Sequence, residues 1–242
     1  MEIVVQKFGG SSVANTERLN IVCNHIISEK EREKKLVVVV SAQGNTTDNL
    51  IQEENEVSLK PNKREHDVLV SVGEQITVAK LAMLLQEKGY NAVSYLGWQI
   101  PIITDSNFGD ANIIEIDNKK IIEELEKDNI VVVAGFQGID KENNITTLGR
   151  GGSDTTAIAL ASILKAEKCE IFTDVDGVYS EDPNKNKSAI KYKEISYDKM
   201  LEMANNGAKV LHNKCVKMAK EKNVKIVVKS TFEKESKGTI VK

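Results

Sequence analysis

The segment Thr147-Leu-Gly-Arg-Gly-Gly-Ser-Asp154 sets one arginine among three glycines, ahead of the alanine-rich run 155–164. A guanidinium makes two parallel hydrogen bonds to a carboxylate or phosphate. Glycines let a ligand approach the backbone and accept positive φ. Ser153 or Asp154 is expected to cap the helix that follows, and a helix start attracts anions. The segment suggests a small acidic ligand, gripped by Arg150.

Five other polar segments invite comparison. Lys7-Phe-Gly-Gly-Ser-Ser-Val13 follows the first apolar run, and its glycines and serines can present N–H groups to phosphate. It is neither a Walker A loop nor a dinucleotide fingerprint, because Lys7 precedes the glycines. Lys7 can instead place a point charge on a transferring phosphoryl group. Ser41-Ala-Gln-Gly-Asn-Thr-Thr-Asp48 suits ligand contact or a plain turn with a helix cap. In Ser71-Val-Gly-Glu-Gln75, Glu74 fits either a substrate ammonium or an ordinary helix start. Phe172-Thr-Asp-Val-Asp-Gly-Val-Tyr179 lacks the bidentate glutamate of a calcium loop, so a nucleotide-contacting loop or a tight turn fits better. In Asn206-Gly-Ala-Lys-Val-Leu-His212, Lys209 is within reach of phosphate and His212 reads as structural. His25 and His66 have no partner pattern and read as surface or boundary residues, and no histidine belongs to a metal-spaced set.

Seven short apolar runs are strand candidates, at 3–6, 36–41, 92–96, 113–116, 130–136, 170–173 and 225–229. Several are continuously apolar, as strands covered on both faces must be. Helical patterns alternate with them at 17–30, 76–87, 118–127, 153–165, 197–205 and 214–222. The polar stretch 53–63 reads as a surface connection. This rhythm predicts an α/β fold with a mainly parallel sheet between helix layers, as one domain over 1–242. Ligands then sit at the carboxyl ends of the strands, and the polar segments above follow strands.

Composition narrows the function. The 242 residues are 40% apolar and 29% charged with a net charge of −3, which gives no electrostatic reason to expect nucleic acid. Cys23, Cys169 and Cys215 form no C-x-x-C pair, so each is expected to be a buried small hydrophobe in a reducing compartment. The N-terminus has no signal-peptide pattern, and the apolar runs 36–40 and 130–136 are too short to span a bilayer. A cytoplasmic protein with no membrane partner is expected.

In this order, the segments resemble the catalytic domain of aspartate kinase, in the amino acid kinase (carbamate kinase-like) family. The matching words are the Lys7, Ser41 and Gly73-Glu74 segments, Gly97-Trp-Gln99, Ile103-Thr-Asp105 and Gly135-Phe-Gln-Gly138. The set continues with 147–154, Thr173–Tyr179, Asp182-Pro183 and 207–212, so the likeness runs nearly end to end.

The resemblance implies a three-layer αβα sandwich of about eight strands, with ATP and amino-acid sites side by side. It implies ATP-dependent phosphorylation of the L-aspartate side-chain carboxylate, an early step toward lysine, threonine and methionine, by a homodimer. Lys7, Gly9, Gly10 and Ser11 would hold the phosphates. Thr47, Glu74, Arg150 and Ser153 would surround aspartate. Thr173, Asp174, Tyr179 and Lys209 would surround ATP, with Asp182 and Pro183 nearby. Lys7 and Lys209 would cancel developing charge, with Mg2+ carried mainly on the nucleotide, and Asp154 would orient Lys7 or the metal's waters. Family members often carry arginine after the Asp-Pro pair, whereas Asn184 and Lys185 stand here, so that phosphate contact is lost or passes to Lys185. By this resemblance the sequence is expected to cover the catalytic domain alone, without the regulatory ACT domains, either as a short form or as a piece of a longer chain. No feedback inhibition by lysine or threonine is therefore expected of this polypeptide alone. Two other readings stay open: a kinase of the same fold acting on another acid or on a nucleoside monophosphate, and a non-catalytic binding protein.

Overall fold

The computed structural model describes residues 2–181, 183, 185–208, 210–233 and 236–242. Its centre is four parallel strands: β1 (Ile3–Phe8), β2 (Lys35–Val40), β6 (Ile130–Ala134) and β9 (Lys168–Thr173). Their apolar runs serve two cores at once. Val37 and Val39 of β2 face one side, whereas Leu36, Val38 and Val40 face the other. Each such side chain contributes about 1.5–3 kcal/mol on leaving water.

β3 (Ala92–Tyr95), β10 (Glu194–Ile195), β11 (Ile226–Ser230) and β12 (Thr239–Val241) complete an eight-stranded sheet in the order β10-β12-β11-β9-β1-β2-β6-β3. Every pairing in it is parallel except β11 with β12. On one face, α1 (Thr16–Lys30) and α4 (Val72–Glu87) bury Leu19, Val22, Ile26, Val78, Leu81 and Leu85. The other face carries α5 (Lys119–Glu126), α6 (Gly152–Ile163), α7 (Tyr197–Asn205) and α8 (Asn213–Lys222). The expected αβα sandwich is the one observed.

A second sheet was not anticipated. It joins β5 (Ile113–Ile116), β4 (Ile102–Thr104), β7 (Gln137–Ile139) and β8 (Ile145–Thr147) in the order β5-β4-β7-β8. Two further helices, α2 (Thr46–Val57) and α3 (Lys63–Val70), flank residues 58–62; α2 takes the first half of the stretch read as a surface connection, and the rest links the two helices. The helix expected from residue 76 starts four residues earlier, at Val72, and continues α3 after a break at Ser71. Gln137 Nε2 donates to Ser71 O across that break at 2.8 Å. Residues 63–87 thus contain an 18-residue window with a mean hydropathy of 1.6, long and apolar enough to cross a membrane by length and composition alone. Half of that apolar window is buried inside the protein, and Asp67 and Glu74 are buried on the same helix. The apolarity serves the internal core.

All three cysteines are buried and form no disulfide. Burial pushes the Cys23 thiol up to about 11, and raises Cys169 and Cys215 as well.

Candidate active site

Strand register sets the site. Phe8 pairs with Val40 and with Phe172, and Val40 pairs with Ala134, so β1, β2, β6 and β9 end at one edge. The chain leaves each strand there into a polar loop, the position where open α/β sheets bind ligands. Two hydrogen bonds continue the ladder past the strand ends, Ser41 N to Phe8 O at 3.1 Å and Gly135 N to Val40 O at 3.0 Å.

The loop after β1 is compact because its neighbours leave no room. A Cβ on Gly10 would meet Ala42 O at 2.9 Å. Gly9 N points to Phe172 O at 3.4 Å, a long contact, whereas the N–H groups of Gly10 and Ser11 bond to no group among the described residues. Two adjacent free N–H groups make an anion cradle. Lys7 lies at the end of β1, only 9% exposed, with its ammonium 2.6 Å from Asp154 Oδ1. Asp154 stands in the first turn of α6, where the helix dipole favours a carboxylate.

α4 and the start of α6 reach the same edge, through the loops after β2 and β6. Glu74 is buried; its Oε1 accepts from Ala42 N at 3.0 Å and its Oε2 has no partner among the described residues. Burial pushes its carboxyl up to about 7, against the lowering effects of the Ala42 N–H and the Lys7 charge. A buried carboxylate with a vacant oxygen suits an incoming ammonium. Ser153 is buried in the first turn of α6, and a Cβ on Gly135 would sit 2.7 Å from its Oγ. Arg150 is exposed and has no hydrogen bond or ion pair within the described residues. Thr47 is half-buried in the first turn of α2.

The helix cap differs from expectation. Neither Ser153 nor Asp154 caps α6; the N-cap is Gly151 in the left-handed region, φ 70, and the helix begins at Gly152. A Cβ at Gly151 would meet the His212 Cβ at 2.5 Å, so glycine answers both the φ and the close approach. Both polar side chains are thereby freed for the site.

Beyond β9, a cleft of about 700 Å3 is lined by Thr173, Asp174, Tyr179, Pro183 and Lys185 among others. These are five of the residues expected around ATP. Asp182, Asn184 and Lys209 lie outside the described residues. Asp176 organises the loop, accepting from the Tyr179 hydroxyl at 2.6 Å and pairing with Lys191 at 2.6 Å. The bond to Asp176 pushes the Tyr179 phenol up to about 12. The segment thus forms an internally bonded turn that lines the cleft. His25 and His66 are half-buried, as expected, but both have partners: His25 Nε2 lies 2.8 Å from Thr231 O, and His66 pairs with Glu54 at 2.8 Å.

The sequence profile of the amino acid kinase family matches residues 2–230. The chain belongs to that family. An aspartokinase of Bacillus sp. (strain MGA3) is 54% identical over 241 residues, covering 100% of this chain and 58% of the relative. This family member thus spans somewhat over half the length of the curated relatives it matches. Aspartate kinase from Synechocystis superposes with a TM-score of 0.87 at 44% identity, over 98% of this chain and 39% of that one. E. coli aspartokinase III, solved in complex with aspartate and ADP in its R-state, gives a TM-score of 0.88 at 29% identity, over 99% of this chain and 64% of that one.

Proposed function

We propose that the chain transfers the γ-phosphoryl group of ATP to the side-chain carboxylate of L-aspartate, giving 4-phospho-L-aspartate and ADP. One pairing carries this reading. An unpartnered guanidinium at Arg150 and a buried carboxylate at Glu74 with a vacant oxygen together match the α-carboxylate and ammonium of an amino acid. Thr47 and Ser153 complete the aspartate side of this reading. The complex of E. coli aspartokinase III with aspartate and ADP supports the choice of substrates.

The reacting carboxylate has an ordinary pKa of about 4, so it is ionised at neutral pH and needs no general base. Its oxygen attacks the γ-phosphorus, and the bond from that phosphorus to the β,γ-bridging oxygen breaks, leaving ADP. Catalysis then rests on alignment and on charge cancellation. In this reading Lys7, steadied by Asp154, faces the transferring group, and Gly10 and Ser11 hold phosphate oxygens through their free N–H groups. Lys209 joins Lys7 in the proposal. Among the described residues no group of three His, Cys, Asp or Glu side chains could hold a metal alone. Magnesium would enter mainly on the nucleotide's phosphates, where it would supply further charge cancellation. The proposal extends to a cytoplasmic homodimer, which light scattering of the purified chain tests.

The deciding assay incubates the protein with Mg-ATP, hydroxylamine and a panel of carboxylic acids. Hydroxamate formed with aspartate alone supports the reading. Hydroxamate with another acid transfers the activity to that substrate, and none with any acid leaves a binding protein.

A further inference from the structure

Asp67 lies on α3, seven residues before Glu74, which is about 10 Å along a helix axis. It is 0% exposed, and its carboxylate takes three hydrogen bonds from neutral donors. Oδ2 accepts from Thr147 N at 2.8 Å and Gly109 N at 3.0 Å, and Oδ1 accepts from Thr147 Oγ1 at 2.8 Å. A wholly buried carboxylate is costly unless such donors answer it, so the three bonds hold each other in place.

Their position gives them a use. Thr147 ends β8, three residues ahead of Arg150. Gly149 and Gly151, which flank Arg150, have φ of 71 and 70, so the intervening backbone is intrinsically pliable. Gly149 is pressed against the same loop that Asp67 holds, since a Cβ there would meet Asp110 Oδ1 at 2.7 Å and Gly109 O at 3.2 Å. Lys214 of α8 closes the other side, donating to Asp110 Oδ1 at 2.9 Å, Ala111 O at 2.9 Å and Leu148 O at 3.2 Å.

We propose that Asp67 is a positioning residue for Arg150. By fixing Thr147 and Gly109 to the helix that also bears Glu74, it sets the separation between the receptor for the substrate α-carboxylate and the receptor for its ammonium. The Gln137 bond to Ser71 O anchors the break between α3, which bears Asp67, and α4, which bears Glu74. This inference rests on the aspartate reading above.

The test compares Asp67→Asn and Thr147→Val with the unaltered chain by steady-state kinetics in both substrates and by thermal melting. Loss of a buried acceptor should raise the aspartate KM about tenfold in Asp67→Asn, and loss of the hydroxyl donor about threefold in Thr147→Val, leaving kcat and the ATP KM within about twofold. An unchanged aspartate KM in folded variants overturns the role, as do parallel losses in kcat and both KM values. If Asp67→Asn does not fold, Thr147→Val decides by the same criteria. An unaltered chain without aspartate-dependent turnover sinks the underlying reading, a result separate from an active enzyme whose variants leave the aspartate KM unmoved.

Discussion

The Lys7 ammonium lies 2.6 Å from the Asp154 carboxylate, joining the end of the first strand to the first turn of α6. A long lysine side chain costs rotamer entropy to immobilise, and this pair has already immobilised it before any ligand arrives. Asp154→Asn keeps the shape and removes the charge. It should lower kcat about 10–100-fold while the aspartate KM changes by less than about threefold. Steady-state kinetics in both substrates check this; a change confined to KM would refute it.

Lys7→Ala removes the charge that faces the transferring group. Turnover should fall about 100–1000-fold, far more than aspartate binding weakens. Equal losses in turnover and in binding measured by calorimetry would count against the assigned role.

Arg150→Lys keeps the charge and loses the planar fork. Because Arg150 has no partner among the described residues, melting should be unchanged, while the aspartate KM rises about tenfold or more. A drop in Tm instead would mean that the guanidinium braces the fold.

Glu74 should impose a pH dependence. Its carboxyl titrates at about 7 in the ligand-free protein because it is buried. Binding an ammonium requires the carboxylate, so below pH 7 a proton must first leave. The aspartate KM should rise on acidification, toward about tenfold per pH unit. Stability runs in the opposite sense. The folded pKa exceeds the unfolded one, so the folded state holds the extra proton. That contribution is full below the unfolded value of 4.5 and is lost as pH rises through about 7. Glu74→Gln should flatten both curves, the first measured kinetically and the second by denaturant midpoints. A wild-type KM that does not move between about pH 8 and 6 contradicts the proposal.

Gly73→Ala should act through crowding. A Cβ there would stand 2.6 Å from the Ala42 Cβ, and α4 would have to move away from the loop after β2. The cost should be about 1–3 kcal/mol of stability. The aspartate KM should also rise, because Glu74 would draw away from Ala42 N. Adding Ala42→Gly removes the opposing methyl and should restore part of both losses, a non-additivity that a double-mutant cycle detects.

The central sheet was legible because its strands are continuously apolar. Lys35–Val40 and Ile130–Ala134 admit no amphipathic helix reading of comparable quality. The site edge was legible for the same reason, since polar glycine-bearing segments directly follow those strands. β4, β7 and β8 escaped notice because three residues each are too few to display alternation. α3 escaped because it shows the polar run Lys-Arg-Glu-His-Asp and is stabilised through contacts made far away in sequence. Glu74 was visible as a residue type, yet its burial was not, because a glutamate opening a solvated helix looks the same. The start of α6 was misplaced because a left-handed glycine served as the cap where serine and aspartate were nearer the apolar run. Asp67 carried only a faint signal, its seven-residue spacing from Glu74.

The sealed thiols turn the molecule into its own gauge of opening. Alkylation needs an exposed thiolate, and the native fold denies both exposure and ionisation to Cys23, Cys169 and Cys215. Cys23 sits on the buried face of α1 on one side of the sheet, whereas Cys169 and Cys215 lie in the core on the other. Labelling rates resolved by residue would therefore time the exposure of each side separately, without a probe having to be introduced.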